Sequence, residues 1–217
     1  STYGTGCFLL LNTGDKRISS ANKLLSTIAY RLDGKTTYGL EGSIFVAGSA
    51  IQWLRDKMSF FKEANKSDLL YSKANLEENI TFVPALTGLG APYWEPNVRG
   101  AIFGITRNTS KEDIIKATID SLSFQTLDLI KAMQKDSKIK IREMRVDGGM
   151  INNNNFLQSL SNVTQIKIIK PKNIETTSLG VAYLAALNSG IIKNTKQIEK
   201  LWKQNKIANP KISKKKL

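Results

Sequence analysis

Residues 110 to 136 limit the folds open to this chain more than any other segment. Ser110 stands where a helix N-cap belongs, and Asp113, three residues on, can close a capping box with it. Ile115, Ile119, Leu122, Leu129 and Met133 then recur on one face, and the pattern ends near Asp136. A helix of that span is about 40 Å long with one apolar stripe. Stretches of strand character flank it, Ala101 to Thr106 before and Ile141 to Val146 after. A long amphipathic helix set between strands buries its stripe against a sheet, which makes this an α/β domain.

The rest of the chain fits that class. Cys7 to Leu11 reads as a short apolar strand closed by the turn residues Asn12-Thr-Gly-Asp15. Leu25 to Leu32 and Thr36 to Leu40 are strands joined at Asp33-Gly34, a dipeptide suited to a two-residue hairpin. A helix is predicted from Ser43 to Lys57 through Ile44, Phe45, Ala47, Ile51 and Leu54. Gly48 lies inside it at a cost of about 1 kcal/mol relative to alanine. Ser67 to Glu78 is polar and helical in character, and Ile80 to Leu86 is a strand interrupted by Pro84. Thr87 to Asn97 holds glycines and prolines without periodicity and is a loop.

Beyond Val146, Asp147-Gly148-Gly149 is a turn, and Asn152 to Asn155 opens a helix that runs to about Val163. Ile166 to Ile169 is a strand closed by Pro171, and Thr177 to Asn188 is a helix with Gly190 as its C′ glycine. A last amphipathic helix, Thr195 to Lys206, uses Ile198, Leu201 and Trp202, with a basic tail beyond. The expected architecture is a mixed sheet flanked by helices, without internal repeat or linker.

Composition narrows the function. A chain of 217 residues with 41% hydrophobic content suits one domain, or one domain with a small appendage. No apolar run approaches the roughly 18 residues of a membrane span, and no signal-peptide succession is visible. The single cysteine, Cys7, cannot close an intrachain disulfide, which suits a reducing cytoplasm. With no histidine, the usual neutral-pH acid/base is missing and a zinc site cannot be assembled by the usual rules. The net charge of +14 raises nucleic acid or an anionic membrane as partners. Against that, lysines are spread along the whole chain, with one dense run at Lys211 to Leu217, and aromatics do not interleave with basic residues. A lysine-rich composition with a solvated tail is the better reading.

Three glycine-marked constellations could carry chemistry. In Ser1-Thr-Tyr-Gly-Thr-Gly-Cys-Phe8, glycines on both sides of Thr5 let the backbone and a hydroxyl approach phosphate oxygens, although such a pattern also marks an ordinary tight turn. In the predicted helix, Gly48 and Gln52 share a face, as a smooth surface with one polar handle or as a packing glycine beside a solvated glutamine. In Arg145-Val-Asp-Gly-Gly149 with Asn153, a strand ends at glycines before a helix N-terminus, where an anion or a flat ligand is accommodated. Asp-Gly-Gly is equally a common turn, and asparagines cap helices. Together the three suggest a nucleotide cradle at the edge of a sheet.

The chain resembles the glycerol kinases, within the wider family of carbohydrate kinases. The resemblance rests on Thr2-Tyr-Gly-Thr-Gly-Cys-Phe8, Leu40-Glu-Gly42 leading to Ile51-Gln-Trp-Leu-Arg-Asp56, and Pro84-Ala-Leu-Thr-Gly-Leu-Gly-Ala-Pro-Tyr-Trp94. Gly100-Ala-Ile-Phe-Gly-Ile-Thr-Arg107 through Asp120 matches a signature of the wider family, and Arg145 to Gly149 completes the set. It covers about residues 2 to 190. It implies an actin-like ATPase (ribonuclease H-like) fold of two similar domains around a cleft. Residues 1–190 would be the C-terminal, nucleotide-binding domain and 191–217 a C-terminal helix and basic tail, with the N-terminal domain absent.

By the same resemblance, Thr5 hydrogen-bonds the phosphates of ATP or ADP, Gly48 and Gln52 line the nucleotide pocket, and Gly149 and Asn153 lie on the adenosine side. Asn152 and Asn154 are substitutes for Asn153, because Asn155 stands where the family usually has an aromatic or leucine. Phe8 would lie near the carbon backbone of glycerol. The glycerol contacts, the first phosphate loop and the catalytic aspartate would all lie upstream, so no catalytic and no metal-binding residue is expected in this chain, and Mg²⁺ is expected only with the missing half. Adenine nucleotide, glycerol held by that half, a separate N-terminal kinase fragment and a second copy of the chain are the implied partners, and a membrane is not among them. The same domain of another carbohydrate kinase, and a non-enzymatic remnant with a basic binding surface, are the alternatives.

Overall fold

A meander opens the chain. In the computed structural model, which describes residues 1–213, β1 (Thr2–Tyr3) turns through Gly4-Thr5-Gly6 into β2 (Cys7–Gly14). β3 (Leu25–Leu32) and β4 (Lys35–Ile44) form the hairpin around Asp33-Gly34. Both turn residues have positive φ, 49° and 75°, as a type I′ turn requires. The strands make one antiparallel sheet in the order β1-β2-β4-β3. Along β2, Cys7, Leu9 and Thr13 are buried while Phe8 and Leu10 are exposed, the two-residue period of a sheet with one face on the core.

Helices α1 (Gly48–Asp56) and α2 (Lys66–Tyr71) follow, then the two-stranded pair β5 (Thr81–Val83) and β6 (Ala101–Phe103) with the glycine- and proline-rich loop between them. Next comes α3 (Lys111–Ser137). After it stand β7 (Glu143–Arg145), a 3-10 turn Gly149–Asn152, α4 (Asn154–Thr164), β8 (Lys167–Pro171), α5 (Thr176–Asn188), α6 (Thr195–Leu201) and β9 (Gln204–Ala208). β7 and β8 are parallel, and β9 is antiparallel to β8.

One seam joins the two larger sheets. The Tyr3 amide donates to the Asp147 carbonyl at 2.8 Å, and the Asp147 amide donates to the Ser1 carbonyl at 2.9 Å. The seam sets the turn after β1 beside the turn after β7. Beneath the meander lies α3, whose Ile115, Ile119, Leu122, Leu129 and Met133 are all fully buried. Each such side chain contributes about 1.5–3 kcal/mol on burial. On β4, a Cβ added to Gly42 would lie 2.6 Å from Leu129 Cδ2, so the sheet rests directly on the helix. Tyr3 ties α3 and α4 together. Its ring meets Phe156 edge-on at 4.9 Å, and its hydroxyl is 2.9 Å from Thr126 Oγ1.

The capping box of α3 forms in full: Ser110 Oγ accepts from the Asp113 amide, and Asp113 Oδ2 accepts from the Ser110 amide at 2.8 Å. Asp113 Oδ1 also accepts from the Asn75 amide at 2.7 Å. Burial raises the carboxyl pKa, but the bonds from Ser110 and Asn75 outweigh it and hold the group below its ordinary value. A carboxyl depressed in the folded state stabilises above the unfolded pKa of about 3.9, and the contribution fades as pH falls through the folded value. Asp113→Ala is therefore expected to cost about 2 kcal/mol at neutral pH. Urea midpoints of the two proteins should converge below about pH 4. A gap that persists at full size well below that pH would remove the carboxylate from this role.

Several elements depart from the sequence reading. Ser43 and Ile44 belong to β4, not to a helix, because β4 pairs with β2 as far as Cys7 opposite Ile44. The helix starts only at Gly48. The polar helix is α2 alone, shorter than Ser67 to Glu78, and the strands at 80–86, 101–106 and 141–146 are three residues each. The last helix ends at Leu201, and Gln204–Ala208, whose first three residues fall in the span read as helix, is drawn out as β9 along the open edge of β8. Of the basic tail, Lys214 to Leu217 lie outside the described residues.

Candidate functional site

The seam at Tyr3 and Asp147 brings the three glycine-marked segments to one place. Two glycines make the approach possible. Gly148 has φ +88°, and a Cβ there would lie 2.5 Å from the Tyr3 carbonyl oxygen. A Cβ on Gly48 would lie 2.6 Å from the Gly4 carbonyl oxygen, the same atom that accepts from the Gly48 amide at 2.8 Å. The amides of Ala47 and Ser49 donate to the Thr5 carbonyl at 2.9 and 3.1 Å, and the Ser49 hydroxyl donates to it as well. The start of α1 is thus used to anchor the Gly4-Thr5 turn. The Thr5 side chain stays exposed, and its hydroxyl has no partner among the described residues.

Gly48→Ala sets the new Cβ against the Gly4 carbonyl oxygen, a backbone atom that cannot yield as the end of a flexible side chain could. It is expected to destabilise by about 1–3 kcal/mol, read as a lower urea midpoint at unchanged slope. A midpoint equal to the parent's would show that the turn shifts freely on α1.

A cavity of about 640 Å³ opens between these segments, and Thr5, Gly48, Gln52, Gly149 and Asn153 all line it. Gly48, Ile51, Gln52 and Arg55 form one stripe of α1, with Ile51 buried and the Gln52 side chain exposed. At Gly149 a Cβ would meet nothing within 4 Å, so this glycine leaves open space in the cavity wall.

Asn153 is only 9% exposed and is the N-cap of α4, its Oδ1 accepting from the Phe156 amide at 2.8 Å. Its Nδ2 donates to Ser67 Oγ at 3.3 Å. Asn152 also lines the cavity, and its Oδ1 accepts from Lys170 Nζ at 2.9 Å. Burial, and then the charge of Lys206, pulls the Lys170 ammonium below its ordinary pKa. Asn154 is not in the lining. It bonds instead to Asp68 and, at 2.6 Å, to Lys206.

The fourth wall has no glycine mark and was missed by the sequence reading. It comes from Ala64 to Asp68, at and before the start of α2. Asn155 binds this helix to α4: its amide donates to Asp68 Oδ1 at 3.0 Å, and its Nδ2 reaches Asp68 Oδ1 at 2.7 Å and Ser72 Oγ at 2.9 Å. The unusual asparagine at 155 was the available signal for that wall. Arg55 was also missed, although it stands seven residues after Gly48 on the same face. Hydrogen bonds from Arg55 hold the Asp56 carboxyl below its ordinary value. Among the described residues, no three His, Cys, Asp or Glu side chains group as metal ligands, and no helix is long and apolar enough to cross a membrane.

The chain is thus an α/β domain in which glycine turns and one helix face surround an open cavity. Residues 1–189 match the model of the FGGY family of carbohydrate kinases, C-terminal domain, and the chain belongs to that family. It is 50% identical over 210 residues to glycerol kinases of Bacillus thuringiensis (strain Al Hakam) and Bacillus cereus (strain AH187), matching 97% of this chain and 42% of each relative. The chain therefore spans less than half the length of these relatives. Among solved structures, Plasmodium falciparum glycerol kinase with ADP superposes with a TM-score of 0.91 at 36% identity, over 99% of this chain and 43% of that one. The ligand-bound xylulose kinase of Lactobacillus acidophilus, at 23% identity and a TM-score of 0.81 over 96% of this chain and 42% of that one, shares the fold. That fold is the actin-like ATPase fold.

Proposed function

We propose that this chain is the ATP-binding, C-terminal half of a glycerol kinase, acting in the transfer of the γ-phosphoryl group of ATP to glycerol, with ADP and sn-glycerol 3-phosphate as products. The observation that carries this is the convergence of Thr5, Gly48, Gln52, Gly149 and Asn153, from three separate segments, on one cavity. Its volume, about 640 Å³, lies in the range of small-molecule sites. Identity of 50% to glycerol kinases, with 36% to one whose structure contains ADP, supports glycerol kinase over the other sugar kinases.

The residues fit an adenine nucleotide. The exposed hydroxyl of Thr5 donates to phosphate oxygens from a turn held rigidly by α1. Gly48 and Gln52 offer a flat surface and one amide. The open space at Gly149 admits a flat base against the backbone. Asn153, on the adenosine side, keeps one N–H and one lone pair beyond its bonds to Phe156 and Ser67. Phe8, 57% exposed, belongs to the glycerol side. The general base, the glycerol contacts and the Mg²⁺ that phosphoryl transfer uses come from the part of the kinase that precedes this domain.

ADP is expected to raise the melting temperature of the purified chain, by the equivalent of about 2.7 kcal/mol when free ADP is 100 times its Kd. Melting unchanged up to millimolar ADP would defeat the reading.

A further inference from the structure

α2 is a cavity wall with little apolar support. It is six residues long, Ser67 is its one buried residue, and Leu69 is 56% exposed. So short a helix is marginal by itself, and its place is set by what it touches. Leu70 and Tyr71 pack partly buried against the core, and the Tyr71 hydroxyl donates to Asp120 Oδ1 on α3 at 2.8 Å. Its polar contacts with α4 are denser. The Asp68 carboxylate lies at the N-terminus of α4, where backbone N–H groups lack helical partners and negative charge is favoured. There Oδ1 accepts from both the amide and the side chain of Asn155, and Oδ2 accepts from Asn154 Nδ2 at 3.4 Å. The Asp68 carbonyl accepts from Asn155 Nδ2 as well, at 2.8 Å. With Ser72 Oγ, three acceptors of the α2 segment surround that one nitrogen.

We infer that Asn155 and Asp68 form a clasp that positions the wall for the adenosine part of the nucleotide. The inference rests on reading the cavity as an adenine-nucleotide site. Asn155 does not line the cavity, so it acts on a ligand only through α2. Two features of the cavity follow α2. The stretch from Ala64 to Asp68 is one side of it. Ser67 Oγ accepts from Asn153 Nδ2 at 3.3 Å, so the same wall orients the amide proposed to face adenosine. Displacing α2 opens the cavity and frees that amide together. A nucleotide is bound tightly only by molecules whose wall is in place, and its apparent Kd rises as that fraction falls. Hydrogen bonds accepted by a carboxylate are of the stronger kind, which gives this pair the leverage to set the fraction.

Calorimetric ADP titration and amide hydrogen exchange on the whole chain test the clasp. Asn155→Ala and Asp68→Ala should each raise the Kd for ADP about tenfold. The double variant should raise it little further, because both substitutions remove the same contact. Asp68→Asn keeps an acceptor for Asn155 and should stay within about threefold of the parent. Leu69→Ala, on α2 but outside the cavity lining, should bind within about twofold of it. The Ser67 and Ser72 amides are bonded to the Ala64 and Asp68 carbonyls. Without ligand they should exchange about tenfold faster in Asn155→Ala than in the parent, and ADP should slow them in the parent. An ADP Kd unchanged in Asn155→Ala would overturn the inference. So would a double variant weakened about 100-fold, the product of two independent effects, or exchange at Ser67 and Ser72 that Asn155→Ala does not alter. A parent without any response to ADP, alongside faster exchange in Asn155→Ala, would instead defeat the nucleotide reading and leave Asn155 as the residue that holds α2.

Discussion

Gly149→Trp is expected to abolish the response of this chain to adenine nucleotide and to leave its folding intact. The position is permissive: a Cβ there meets nothing within 4 Å, and the space it enters belongs to the candidate cavity. An indole would fill much of the volume in which the adenosine is proposed to lie. The Kd for ADP should rise by at least about 100-fold, or roughly 2.7 kcal/mol. Without ligand the melting temperature should stay within about 2 °C, since side chains added on open surface change stability little.

Its neighbour provides the contrast. Gly148→Trp places the same side chain one residue earlier, at φ +88° and 2.5 Å from the Tyr3 carbonyl oxygen. That substitution opens the seam between the sheets, so it should lower stability by more than about 3 kcal/mol. Calorimetric titration and melting of both variants separate a blocked site from a broken fold. Unchanged ADP affinity in Gly149→Trp would remove Gly149 from the nucleotide site.

The second large effect concerns catalysis. Purified by itself, the chain is expected to release no ADP in response to glycerol above a no-enzyme control. General-base assistance is worth about 10²–10⁴-fold, and correct placement of the acceptor corresponds to effective molarities of about 10⁵–10⁸ M. On the proposed reading both are supplied by the preceding half of the kinase. What this domain would add on that reading is the hold on ATP, which by itself does not lower the barrier. A coupled assay for ADP with and without glycerol measures it. Glycerol-dependent turnover that scales with the chain and disappears in Gly149→Trp would overturn the expectation, because such activity would use this cavity.

Much of the domain follows from short-range information. The Ser110 and Asp113 side chains and the apolar spacing of α3 interact within a few residues, so the sequence alone determined that helix nearly to its last turn. The same holds for the hairpin at Asp33-Gly34, whose positive φ values are a property of the dipeptide. The glycine-marked segments and the family likeness pointed to one side of the molecule and named five of the residues around the cavity.

What only the tertiary structure decided lies in long-range partnership. Ser43 and Ile44 have helical spacing but become strand because β2 offers them a ladder. Gln204–Ala208 becomes strand because β8 has an open edge. Asn153 turns out to cap α4 while it faces the cavity, and α2 closes the cavity because Asn155 holds Asp68, across 87 positions of sequence. Periodicity and capping are written within one or two helical turns and can be read locally. A cavity wall or a ladder partner depends on which distant segment arrives beside it, and only the packed chain determines that.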